Sequence, residues 1–297
     1  MKLTRRTFFK AGAVGATTLV GAAGSAEAAA PVAAAPHARG VLVDTTLCVG
    51  CRSCEVACAE ANQLGEPAMS GDPAVFESRR VTDERTFTVV NRADVKEPER
   101  FAKTQCMHCV DPACASVCPG RALEKTAAGP VVYNGDRCLG CRYCMVACQF
   151  DIPKFEYDSP TPYVTKCTFC AERQKAGGMP ACAEACPTGA LKFGERAALI
   201  EEAKLRIYQN SDTYVHHVYG EHEAGGTSWM YISDVPLETL GLKAGLDSRP
   251  YPELAATALA AVPMVMTLWP PILMGLYAIN RRREVIERRD GEETHRD

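Results

Sequence analysis

CMHCVDPACASVC (106–118) and CLGCRYCMVAC (138–148) place two blocks of four cysteines one after the other. Cys106, Cys109, Cys114 and Cys118 are separated by two, four and three residues, and Cys138, Cys141, Cys144 and Cys148 by two, two and three. Pro119 follows Cys118 directly. Such a run wraps three thiolates around three irons of a cubane iron–sulfur cluster and sends the fourth, a helical turn further on, to a neighbouring cluster. Blocks of this kind must therefore exchange their last cysteine. Spacing does not say which block exchanges with which.

Working outward, Cys48, Cys51, Cys54 and Cys58 repeat the spacing of the Cys138 block, and the match extends past cysteine: LCVGCRSCEVAC against RCLGCRYCMVAC. Gly50 and Gly140 both stand just before the second cysteine, where a missing side chain lets backbone N–H groups approach cluster sulfur. Cys167, Cys170, Cys182 and Cys186 form a fourth block, closed by Pro187, and resemble the Cys106 block with a longer insertion. All 16 cysteines fall in these four blocks. A disulfide framework does not need two-residue spacing or Cys-Pro endings. Zinc ribbons use paired Cys-x2-Cys, but a trailing Cys-x3-Cys does not suit one tetrahedral site. The reading is four [4Fe-4S] clusters.

The two ends carry separate signals. Thr4-Arg5-Arg6-Thr7-Phe8-Phe9-Lys10, the apolar run Ala11 to Ala23 and Ala26-Glu27-Ala28 read as a twin-arginine export signal over residues 1–28. Leu254 to Ile279 is 26 residues without a charge. As a helix it is about 39 Å long, enough for an apolar layer of about 30 Å, although Pro263, Pro270 and Pro271 are expected to kink it. Arg281-Arg282-Arg283 marks the cytoplasmic side, which leaves the cysteine blocks outside.

The remainder is less informative. Val41 to Val43 and Thr86 to Val90 read as strands, and Ala59 to Gln105 as an insertion or solvated loop. Leu199, Ile200, Ala203 and Ile207 recur at helical spacing over Glu195 to Ile207. Tyr214 to Tyr219 and Ser228 to Ile232 read as a pair of strands around Gly225-Gly226, which puts His216 and His217 on opposite faces and makes them poor joint ligands, with His222 nearby. His108 is read as a packed side chain rather than a group that tunes a cluster. Lys154 and Lys166 lie near cluster loops, where positive charge raises a reduction potential, but solvation is the commoner state for lysine and is the reading taken. A net charge of −3 without a basic stripe points away from nucleic acid. No phosphate loop, nucleophile–base pair or carboxylate dyad stands out, so no catalytic residue is assigned and the chain reads as a non-enzyme.

The blocks, with GGTSWMYISDVP (225–236), resemble the four-cluster electron-transfer subunits of bacterial respiratory oxidoreductases, over roughly Val43 to Pro236. Within that group they are most similar to the membrane-anchored iron–sulfur subunits of periplasmic nickel–iron hydrogenases of the hydrogenase-2 type. The resemblance implies an α+β fold of two ferredoxin-like double-cubane units with insertions, plus one C-terminal transmembrane helix. It implies four ligand sets: Cys48, Cys51, Cys54 with Cys186; Cys167, Cys170, Cys182 with Cys58; Cys106, Cys109, Cys114 with Cys148; and Cys138, Cys141, Cys144 with Cys118. The expected layout is a signal (1–28), a linker (29–40), a four-cluster domain (41–195), a helix-and-strand extension (196–253), a membrane helix (254–279) and a cytoplasmic tail (280–297). The implied function is a relay between a periplasmic hydrogenase, of large and small subunits, and an integral quinone-reactive subunit. A formate dehydrogenase or other molybdopterin or tungsten enzyme is the alternative partner. A structural metal-binding module without electron transfer is the alternative of a different class.

Overall fold

The computed structural model describes residues 35, 37–65, 67, 72–95, 97–160 and 162–293. The export signal lies outside them. The chain divides into one unit over Pro31–Glu253 and a second that holds the C-terminal helix.

Strand β1 (Arg39–Asp44) is the middle of a three-stranded sheet. It runs antiparallel to β8 (Leu191–Glu195), with Val43 opposite Leu191. It runs parallel to β9 (Trp229–Ile232), with Val41 opposite Trp229. The period-two alternation of a strand divides these residues between two faces. Leu42, Met230 and Ile232 pack with Leu199, Ile200, Ala203 and Ile207 of helix α6 (Arg196–Gln209). That is the apolar stripe expected of this helix. Val41, Val43, Trp229 and Tyr231 face the other way and share a core with Phe169, Met107 and Cys182. One face of the sheet therefore meets a helix and the other meets the cysteine loops.

Three two-stranded ladders complete the unit: β2 (Thr88–Arg92) with β3 (Phe101–Gln105), β4 (Leu123–Lys125) with β5 (Val131–Tyr133), and β6 (Lys154–Phe155) with β7 (Val164–Thr165). Short helices follow the leading cysteines: α1 (Ser53–Asn62), α2 (Ala113–Ser116), α3 (Tyr143–Ala147), α4 (Ala171–Lys175) and α5 (Ala181–Glu184). The segment between Cys58 and Cys106 holds the buried ladder of β2 with β3 rather than a solvated loop.

The expected strand pair over Tyr214 to Tyr219 and Ser228 to Ile232 is corrected. Only Trp229–Ile232 is a strand, and Tyr219 meets Tyr231 as an isolated bridge. Strand β9 pairs in parallel with β1 along one edge, and the Tyr219 segment meets its other edge at Tyr231. His216 and His217 are therefore not on a strand. His216 Nε2 lies 2.9 Å from the Ser211 carbonyl and His217 Nε2 2.5 Å from Glu223.

Helix α7 (Tyr251–Glu293) is one uninterrupted helix of 43 residues, with Pro263, Pro270 and Pro271 inside it. The prolines do not interrupt it. The Thr267 hydroxyl donates to the Pro263 carbonyl at 2.8 Å. The helix is long and apolar enough over Tyr251–Arg288 to cross a membrane, by length and composition.

Candidate metal centres

Each cysteine loop turns through left-handed backbone. Gly50 and Gly140 have φ 70° and 66°, Arg52 and Arg142 φ 62° and 60°, and His108, Phe169 and Cys170 φ between 47° and 55°. A side chain in this region costs free energy, and the turns aim N–H groups at sulfur. Cys138 Sγ accepts from the Gly140 N–H at 3.5 Å, Cys167 Sγ from the Phe169 N–H at 3.4 Å and Cys118 Sγ from the Ala122 N–H at 3.2 Å. Arg52 is held by Glu55 at 2.9 Å, and Glu55 is buried where it also accepts from Arg80 and from the Val90 N–H.

Strand register brings the blocks together. The Asp44 N–H donates to the Ala190 carbonyl at 2.9 Å and the Asn134 N–H to the Ala122 carbonyl at 2.7 Å. Each donor precedes a first cysteine (Cys48, Cys138) by four residues, and each acceptor follows a last one (Cys186, Cys118) by four. The two ladders are thus equivalent, and each sets the end of one block beside the start of another.

All 16 cysteines are free thiols. Burial raises the pKa of Cys48, with Cys186 and Cys51 as further causes. Burial pushes Cys58 up to about 12, with Cys182 and Cys170 adding to it. Cys109 is raised by burial and then by Cys106, Cys148 and Cys114. Cys144 is pushed up to about 11 by burial, then by Cys118, Cys138 and Cys141. Cys167 is raised by burial, by Cys58, and further by Cys106 and Cys182. The last cysteine of each block therefore stands within electrostatic reach of the leading cysteines of another. The groups also neighbour one another in succession, through Cys54 and Cys182, Cys167 and Cys106, and Cys114 and Cys144. Cys51 and Cys141, at the two ends of that succession, are exposed.

Thiols crowded in this way resist ionisation unless a cation joins them, and the thiolate is the metal ligand. Among the described residues no three His, Cys, Asp or Glu side chains come close enough to hold a single ion. The donor set, four thiols per group with N–H groups aimed at sulfur, fits a multi-iron cubane.

Cations stand among these thiols, and here one expectation changes. Lys166 is buried, not solvated: its ammonium donates to the Val131 carbonyl at 2.5 Å and to the Cys167 carbonyl at 3.1 Å. Lys154 is half-buried, with its ammonium 2.9 Å from the Asp151 carbonyl. His108 is a packed side chain, stacked on Phe169 at 4.8 Å and accepting from the Val131 N–H at 2.9 Å. Burial, and then Lys166, Lys125 and Lys103, hold its pKa well below the usual histidine value. Two further lysines were not singled out by sequence. Lys125 donates to the His108 and Gly129 carbonyls, and burial pulls it down to about 8 against the raising effect of Cys109 and Cys106. Lys103 is buried beside Trp229. Its signal was local: on β3, Phe101, Lys103 and Gln105 share one face.

A family described as a 4Fe-4S dicluster domain matches residues 99–196. A protein of Nitratidesulfovibrio vulgaris is 47% identical over 289 residues, covering 95% of this chain and 78% of that one. The hydrogenase-2 operon protein HybA of Escherichia coli is 36% identical over 331 residues, covering 99% of each. The formate dehydrogenase-O iron–sulfur subunit of Escherichia coli is 34% identical over 203 residues, covering 64% of this chain and 65% of that one.

Proposed function

The chain belongs to the family of HybA-like iron–sulfur electron-transfer subunits, and from that premise we propose that it relays single electrons between a nickel–iron hydrogenase and a quinone-reactive membrane subunit. The observation that carries this reading is the unbroken succession of thiol groups from exposed Cys51 to exposed Cys141. A structural metal site needs neither a file of neighbouring groups nor an exposed thiol at each end.

Sixteen cysteines would hold four [4Fe-4S] clusters, in the sets Cys48, Cys51, Cys54, Cys186; Cys58, Cys167, Cys170, Cys182; Cys106, Cys109, Cys114, Cys148; and Cys118, Cys138, Cys141, Cys144. A bound cluster takes up and gives back one electron. The chain's own residues do the rest. Thiolates fix position, N–H groups of Gly140, Phe169 and Ala122 donate to sulfur, and buried lysines supply positive charge, which favours the reduced form. No residue is assigned to substrate chemistry, which falls to the partner. Helix α7 would anchor the chain, with Arg281, Arg282 and Arg283 on the cytoplasmic side and the cysteine unit on the periplasmic side.

The match to HybA spans both chains end to end, which favours hydrogenase as partner. The 34% identity to a formate dehydrogenase subunit supports that enzyme as the second reading. The test is the ratio of quinone-linked to dye-linked dihydrogen oxidation in membranes with and without the chain. A steep fall in that ratio is expected. An unchanged ratio refutes the relay, and a fall in formate oxidation instead moves the partner to the second reading. Iron and sulfide should each approach four atoms per cluster for four clusters; iron for only two would refute the cluster number.

A further inference from the structure

Lys103 is 2% exposed, and its ammonium lies 4.4 Å from the centre of the Trp229 ring. It donates to Gln105 Oε1 at 3.0 Å. Gln105 Nε2 donates to the Tyr231 hydroxyl at 2.8 Å, and that hydroxyl donates to the Lys103 carbonyl at 2.8 Å. Lysine, glutamine and tyrosine thus close a ring that keeps the side chain from reaching solvent. Among the described residues no carboxylate pairs with Lys103; its recorded contacts are the amide oxygen and the indole face.

A buried ammonium without an anion is expensive, and lysine ordinarily sheds its proton in such a place. The anions that stand around it are thiolates. Burial lowers the Lys103 pKa, but Cys182, Cys54, Cys167 and Cys58 raise it, and the net direction is up. Those four thiols come from two different groups: Cys54 from the one begun by Cys48, and Cys58, Cys167 and Cys182 from its neighbour. Packing agrees, because Trp229, under the ammonium, shares its core with Cys182 and Cys54.

We propose that Lys103 is a shared countercharge between the two clusters held by the Cys48 and Cys167 blocks, raising the reduction potential of both. The inference rests on the cluster reading above. A one-electron reduction adds a negative charge to an assembly that already carries four thiolates, and a cation fixed between two such assemblies favours that charge on either. Burial removes the ammonium from counterion screening, so its influence does not fade with salt as that of a surface lysine does. Lys103 touches no reacting atom; it is a positioning residue for charge.

The test is a redox titration of the intact membrane complex, followed by electron paramagnetic resonance, in the wild type and two variants. Lys103→Met removes the charge and keeps the length. Gln105→Glu keeps the lysine and sets a carboxylate against it, so it tests the same idea should Lys103→Met fail to assemble. The expected result is unchanged iron and sulfide, a fall in two of the four midpoints, and no movement in the other two. A tenfold change in the reduction equilibrium corresponds to about 59 mV for one electron, and the shifts should be of at least that size and should persist at high salt. Lys103→Arg should restore the wild-type values. Four unmoved midpoints in an iron-replete variant overturn the countercharge alone, as does a uniform shift of all four. A wild-type chain without cluster signals overturns the cluster reading and the countercharge with it.

Discussion

Arg52 and Arg142, in the same place of two blocks 90 residues apart, have nearly identical backbone angles, φ 62°, ψ 10° and φ 60°, ψ 11°. The repetition is conformational as well as textual, since both residues sit at the N-terminus of a short helix that carries the third cysteine. Their side chains have parted: Arg52 binds buried Glu55, whereas Arg142 lies over Phe155 and Tyr157.

The paired glycines give an expectation from the same repeat. A Cβ on Gly50 would meet the Phe101 ring at 2.8 Å, while one on Gly140 would meet nothing within 4 Å. Gly140→Ala carries only the left-handed penalty, about 1 kcal/mol. Gly50→Ala adds overpacking, for a total of about 2–4 kcal/mol. Denaturant midpoints of the two variants decide; equal losses would show that the loops are not packed as described.

Glu55 is buried between Arg52 and Arg80. Removing it takes a buried carboxylate from between two guanidinium groups, so Glu55→Ala should lose about 3–5 kcal/mol. Burial raises its pKa, but bonds from Arg80, Arg52 and the Val90 N–H outweigh that and hold it below the usual carboxylate value. A depressed folded pKa means that the stability is complete above the unfolded value, about 4.3, and is lost as pH falls through the folded one. The gap in unfolding rate between wild type and Glu55→Gln after an acid jump should therefore narrow below about pH 4.3. A gap that widens there would contradict the sign.

Cys118 lies within reach of Cys144 rather than serving only its own block. Cys118→Ser should disturb the cluster built on Cys138, Cys141 and Cys144 and spare the one built on Cys106, Cys109 and Cys114. Resonance spectra that lose only the latter would refute the exchange.

Orientation is tested at the ends. A reporter fused after Asp297 should be active only in the cytoplasm, and changing Arg5 and Arg6 to lysine should trap cluster-loaded chain inside. Reporter activity in the periplasm would reverse the topology.

What could be read from sequence was what is local. Cysteine spacing, the turn at Gly50 and Gly140, and the stripe of Leu199, Ile200, Ala203 and Ile207 each involve residues within a few positions of one another. The partner of Cys48 was not local: it depends on Val43 facing Leu191, a register between distant strands that only the resemblance suggested. The segment Tyr214 to Tyr219 meets Trp229–Ile232 only as a bridge at Tyr219, and the full-length partner of that strand is distant β1, on its other edge. Lys166 reads as solvated because lysine usually is; the Val131 carbonyl that receives it is brought there by folding.

The position of β1 also orders events on the ribosome. Leu123 faces Tyr133 within one ladder, so the region from Cys106 to Cys148 can close soon after it is made. Val43 faces Leu191, 148 residues later. At about 5–20 residues per second, β1 waits about 7–30 s for its antiparallel partner, and longer for β9. The first cysteines to emerge are thus among the last to find their neighbours. During that interval Cys48, Cys51 and Cys54 are nascent thiols without a completed site, so a cell that makes this chain must keep them reduced until synthesis has all but finished.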